Sequence, residues 1–172
     1  MSKTKKSTPI KSPAMFSDKI LACLKSPDGK NDDKLEITEG ALRSVQSGEI
    51  YPYISNVPSL FLPVKGTGEA VTNQVKSFYE ENPFPCYEGL EEFGELVNKG
   101  SHNTFSSQLL KGVGYNKTIL ECGCGTGQLS NFLQLNNNHT LGIDMSLASL
   151  KLAIEHKIRN GLSRSSFAQM NI

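Results

Sequence analysis

Seven consecutive residues, Glu121-Cys122-Gly123-Cys124-Gly125-Thr126-Gly127, put a carboxylate two positions ahead of three glycines at alternate positions. Glycines let a backbone turn sharply and approach a ligand closely, and a helix starting just after them offers unpaired N–H groups. Asp144 lies 17 residues beyond Gly127. An acid at about that distance, ending the next strand, can accept both hydroxyls of a ribose. The unit therefore reads as a nucleoside site. The glycine spacing differs from the GxGxxG fingerprint of dinucleotide sites, and Glu121 would repel a pyrophosphate. It suits a ligand with a ribose, no phosphate and a cationic group near the strand end. S-adenosylmethionine, with its α-ammonium and sulfonium, meets that description.

These residues need elements to hold them. Thr118 to Leu120 reads as a short buried strand running into the glycines, and Leu129, Phe132 and Leu133 mark a helix ended by the turn-forming Asn136-Asn137-Asn138. Thr140 to Ile143 is a second strand closed by Asp144. Ser146 can cap a helix with Leu147, Leu150, Ile154 and Ile158 on one face, ended by Asn160-Gly161. Phe167 to Ile172 starts a third strand. The order β-α-β-α-β predicts adjacent parallel strands with helices packed on the sheet. Upstream, three short helices are expected: one on Val71, Val75, Phe78 and Tyr79, stopped by Asn82-Pro83; one on Leu90, Phe93 and Val97; and one on Phe105, Leu109, Leu110 and Val113 with Gly112 and Gly114 as caps.

The front of the chain has another character. Residues 1–18 are expected to be a disordered basic tail, because MSKTKKSTPIKSP offers almost nothing to bury. Residues 19–65 read as a small β-rich unit: Leu35 and Ile37 alternate with charged residues, Glu39-Gly40 and Ser47-Gly48 supply turns, and a linker follows near residue 66. Net charge is +1 over 172 residues, with seven lysines in the first thirty, so the body is mildly acidic and nucleic acid is not indicated as a ligand. No apolar run approaches the roughly 20 residues of a membrane helix. The absence of a secretory or transit signal in the tail predicts a cytoplasmic protein. The four cysteines form no CxxC pair, and His102, His139 and His156 share no metal spacing, so no metal is expected. Cys122 and Cys124 read as small loop residues, the three histidines as surface residues with His156 on the polar side of its helix, and Glu80 to Glu95 as a solvated acidic face. Tyr79, Phe84 and Tyr87 read as packing residues, with covering the cofactor or the acceptor as the alternative.

With these residues placed, ILECGCGTGQLSNFL followed by LGIDMSLASLKLA resembles the cofactor-binding half of a class I S-adenosylmethionine-dependent methyltransferase. FYEENPFPCYEGL resembles the lead-in helices found before that core in some small methyltransferases, and the resemblance runs from Val71 to Ile172. It implies a Rossmann-like three-layer α/β sandwich over residues 70–172, with S-adenosylmethionine as cofactor. Glu121 is then expected to orient the methionine ammonium, Gly123, Gly125 and Gly127 to let the main chain pass beneath the cofactor, and Asp144 to take the ribose. Met145 would lie against the adenine, and Asn171 would reach the adenine amino group. IYPYISNVPSLFL is similar to the end of a zinc-ribbon module, here without metal ligands beyond Cys23. The family's sheet has seven strands and its acceptor residues come late, so the sequence is expected to be a fragment truncated after strand 3. The implied activity is methyl transfer to an unidentified acceptor: a small molecule, lipid, RNA or protein. The alternatives are a non-catalytic cofactor-binding or partner module and a nicotinamide-dependent oxidoreductase, the latter disfavoured by Glu121.

Overall fold

Hairpin chemistry builds the first half of the chain. The computed structural model describes residues 15–28, 32–62, 77, 78 and 80–171. Ser17 caps the short helix α1 (Asp18–Leu21), its hydroxyl accepting the Ile20 N–H. Four strands follow, β1 (Leu35–Thr38), β2 (Ala41–Ser44), β3 (Ile50–Ile54) and β4 (Val57–Pro58), antiparallel and in sequence order across the sheet. The two-residue turn between β3 and β4 uses Ser55 and Asn56, both at positive φ, the backbone twist such tight hairpins need. Phe16, Ile20, Leu24, Leu35, Leu42, Tyr51 and Leu60 form the core. Phe16 is 1% exposed. Met15 and Phe16, assigned to the tail on composition, thus pack in this core; a window averaged over lysines hides two apolar side chains. The linker expected near residue 66, and Val71, Val75 and Tyr79, lie outside the described residues.

Capped helices lead into the second half. Helix α2 (Phe93–His102) opens on a reciprocal capping box of Glu92 and Glu95, and Asn103 caps α3 (Thr104–Val113) by accepting the Ser106 N–H at 3.0 Å. Gly114 ends α3 at φ 78. Leu90, expected inside α2, precedes it and is buried. None of α3 is fully buried, so its Phe105, Leu109, Leu110 and Val113 stripe is only half covered by the described residues.

Three parallel strands then form the sheet that carries the glycine loop: β5 (Thr118–Cys122), β6 (His139–Asp144) and β7 (Ser165–Gln169), in the order β5-β6-β7. Helix α4 (Gln128–Leu133) connects β5 to β6, with Asn136 and Asn137 at positive φ in the turn after it. Helix α5 (Leu147–Arg159), capped by Ser146 as expected, connects β6 to β7. Leu150, Ala153 and Ile154 of α5 are buried, but Ile158 is 47% exposed, whereas His156 and Lys157 are inside. The expected face is rotated because other segments cover the helix: Tyr87 packs on His156, and Lys157 runs to Met15, donating to its carbonyl at 2.9 Å. Burial lowers the Lys157 ammonium to about 8.

The two halves share their cores. Ser59 bridges Gln169 in parallel, and Leu60 N–H donates to Gln169 O at 2.9 Å, so residues 59–60 run beside β7. Val57 is fully buried against Leu150, Ala153, Ile154 and Phe167. On the opposite side, β5 pairs with β6 alone among the described residues, and Leu120 is 58% exposed. Among those residues no helix is long and apolar enough to cross a membrane.

Candidate functional site

The glycine loop leaves β5 at its C-terminal end and is tied at once to β6. Gly123 and Cys124 N–H both donate to Ile143 O, at 2.9 and 3.0 Å. Two glycines are fixed by space as well as by conformation. At Gly125 (φ 54) a Cβ would lie 2.4 Å from Phe84 O, and at Gly127 (φ 75) it would lie 2.5 Å from the Phe167 ring. Gly127 therefore lets the start of α4 sit against the sheet.

Asp144 ends β6 with its carboxylate turned to the loop. One oxygen accepts the Gly125 N–H at 2.8 Å and the other the Ser146 N–H at 2.9 Å. An ionised carboxylate has about four lone-pair sites, so two remain for hydroxyls of a ligand. Glu121, on β5, takes the Ser130 hydroxyl. Burial, helped by the charge of Asp144, raises its carboxyl above the ordinary range while the Ser130 bond opposes the shift. Among the described residues no Lys, Arg or His forms an ion pair with it. Burial also pushes the Cys124 thiol well above its usual range, with Glu121 and Asp144 adding to the effect, so this cysteine is no thiolate.

A cavity of about 660 Å³ opens beside these groups. Glu121, Gly123, Gly125, Asp144 and Met145 line it, together with Phe84, Lys99 and Met170. The structure thus brings five of the seven expected site residues to one pocket. Gly127 stands behind the wall. Asn171 faces elsewhere: its amide accepts the Leu62 N–H at 3.1 Å and donates to Leu62 O at 2.8 Å, and the neighbouring Met170 lines the pocket. Among the described residues no group of three or more His, Cys, Asp or Glu is placed to hold a metal ion.

Sequence reading passed over the residues that fasten the lead-in segment to the loop. Thr126 donates through Oγ1 to Pro85 O at 2.6 Å, and Gln128 Nε2 donates to Cys86 O at 2.7 Å. Tyr87 O–H donates to Thr126 O at 2.9 Å and receives Asn131 Nδ2 at 3.1 Å. The Tyr87 ring stacks on His156 at 4.3 Å between centroids. His156 is 3% exposed, not a surface residue. Its Nε2 lies 3.1 Å from Leu90 O, which requires the proton on that nitrogen, and burial lowers its pKa. Glu80, expected on a solvated face, caps α5: its two oxygens accept the N–H groups of Leu147 and Ala148 at 2.6 and 3.0 Å. One signal was available. Gln128, Ser130 and Asn131 are polar residues within the six of α4, a helix too short to solvate them all while packing on a sheet; all three are buried.

Comparison with known proteins agrees with this geometry. Residues 114–172 match the model of a methyltransferase domain family. They hold the glycine loop, Asp144 and β7. No curated protein matches the sequence. A solved structure described as the [4+2]-cyclase SpnF aligns with 20% identity and a TM-score of 0.40, over 64% of this chain. The chain spans 45% of the length of that structure.

Proposed function

We propose that the pocket binds S-adenosylmethionine and that the protein serves methyl transfer from it to an acceptor. The observation that carries this reading is the half-buried carboxylate of Glu121 on the pocket wall, which accepts the Ser130 hydroxyl and forms no ion pair among the described residues. A buried charge without a partner is costly, and a cationic ligand group removes that cost. Glu121 would hold the ammonium of the methionine end. Lys99, whose ammonium donates to Gln128 Oε1 at 3.1 Å, would take the carboxylate of the same zwitterion. Asp144 offers its two free lone-pair sites to the ribose, and Met145 an apolar, polarisable surface to the adenine. The bound cofactor supplies an electrophilic methyl on sulfonium. The chain's part is to align it and keep it dry.

Calorimetric titration tests the assignment. S-adenosylhomocysteine is expected to bind and NAD is not. Lys99→Gln is expected to weaken S-adenosylhomocysteine about tenfold, near 1.4 kcal/mol. It should leave methylthioadenosine, which lacks the amino-acid end, within about twofold. Tight binding of NAD with none of S-adenosylhomocysteine would overturn the reading.

A further inference from the structure

Among the described residues Phe84 is the most exposed of the large apolar side chains, at 73%, yet the backbone from Phe84 to Cys86 accepts several hydrogen bonds from Thr126 and Gln128. Its carbonyl receives the Thr126 N–H at 3.4 Å, and the carbonyls of Pro85 and Cys86 receive Thr126 and Gln128. A few residues upstream, Glu80 is fixed to the first N–H groups of α5, directly after Met145 and Ser146. The segment from Glu80 to Cys86 therefore spans the pocket, pinned to the Asp144–Met145 corner at one end and to the glycine loop at the other. Phe84 lines the cavity between them.

Packing does not account for such a ring, since it fills no core. A well-anchored backbone presenting an apolar ring at the rim of a pocket fits a ligand-covering role, because covering it removes apolar area from water. Its π face also attracts a cation, and the ligand expected here carries a sulfonium. We propose that Phe84 is a cofactor-binding residue, its ring closing the solvent side of the pocket over the bound nucleoside. This rests on the pocket holding S-adenosylmethionine.

The test titrates S-adenosylhomocysteine into the full chain and into Phe84→Ala and Phe84→Tyr, with thermal unfolding of each protein measured without ligand. The expected result is about tenfold weaker binding for Phe84→Ala, recovery to within about twofold for Phe84→Tyr, and unchanged unfolding temperatures, since exposed positions contribute little to stability. Wild-type affinity in Phe84→Ala overturns the proposal and leaves the cofactor assignment standing. A loss that comes with a lower unfolding temperature also overturns it, because the ring would then hold the segment and not the ligand. Absence of binding by the wild-type chain overturns both.

Discussion

Replacing Asp144 by Asn tests the site at its most economical residue. The carboxylate accepts one N–H on each oxygen, from Gly125 and Ser146. An amide keeps one oxygen, so in either orientation one of these N–H groups meets an NH₂ group instead of an acceptor. A hydrogen bond to a charged group contributes about 1.5–3 kcal/mol, and the surviving bond loses its charge assistance. Because Gly125 and Asp144 are only half-buried while Ser146 is buried, Asp144→Asn should cost about 2 kcal/mol of stability, a large share of the roughly 5–15 kcal/mol typical of a folded protein. Binding should suffer independently, since both ribose hydroxyls would lose an ionised acceptor; affinity for S-adenosylhomocysteine should fall by about 100-fold, or roughly 2.7 kcal/mol. Urea unfolding without ligand reads the first effect and calorimetric titration the second. An unchanged unfolding midpoint would refute the loop-bracing argument. Reduced stability with undiminished affinity would show that Asp144 serves the loop alone.

Three further substitutions follow from burial and space. Burial raises Glu121, so its contribution to stability is present below the ordinary carboxylate range and is lost as pH rises through its folded-state value. Glu121→Gln should therefore be more stable than wild type towards neutral pH, an advantage that shrinks on acidification, while its S-adenosylhomocysteine affinity becomes weak and loses the fall at low pH expected of wild type; parallel pH profiles for the two proteins would contradict this. Gly127→Ala places a Cβ 2.5 Å from the Phe167 ring at φ 75 and should cost about 2–5 kcal/mol in urea unfolding, summing left-handed strain and overpacking. Gly100→Ala, 2.4 Å from the Phe132 ring but inside α2, regains about 1 kcal/mol of helix propensity and should cost less; the reverse order would count against the packing argument.

Local physics explains what could be read from the sequence. The glycine loop, the acid ending β6, the Ser146 cap and the Asn136-Asn137 turn each depend on residues within a few positions of one another, and each is found where the spacing puts it. Misreadings occur where a distant segment decides burial. His156 sits between Glu155 and Lys157 and reads as polar surface, but Tyr87, far upstream, covers it. Asn171 reads as an adenine contact by position in the family pattern, but Leu62, 109 residues earlier, takes both ends of its amide. Phe16 is lost in a lysine-rich window, although the pocket of Ile20, Leu42 and Leu60 buries it. Periodicity measures the preference of an isolated element, and cannot report which other segment arrives to satisfy a buried polar group.

The front half of the chain bears on the Asp144–Met145 corner of the pocket through one side chain. Gln169, at the end of β7, accepts the Ser59 hydroxyl at 2.8 Å through Oε1 and donates through Nε2 to Met145 O at 2.8 Å. Its backbone carbonyl takes Leu60 N–H in the parallel bridge. An uncovered parallel strand exposes a row of unpaired backbone groups, and residues 59–60 cover the last carbonyl of β7. The Met145 carbonyl, an acceptor only, fixes the amide of Gln169 with its nitrogen towards Met145 and leaves its oxygen to the Ser59 hydroxyl. Gln169 is 2% exposed, so an amide turned the other way would bury its oxygen against the Met145 carbonyl with no donor between them. The Ser59 hydroxyl, 110 positions before Gln169, completes the hydrogen bonding of that amide. The segment after β4 thus meets the pocket-lining Met145 through Gln169.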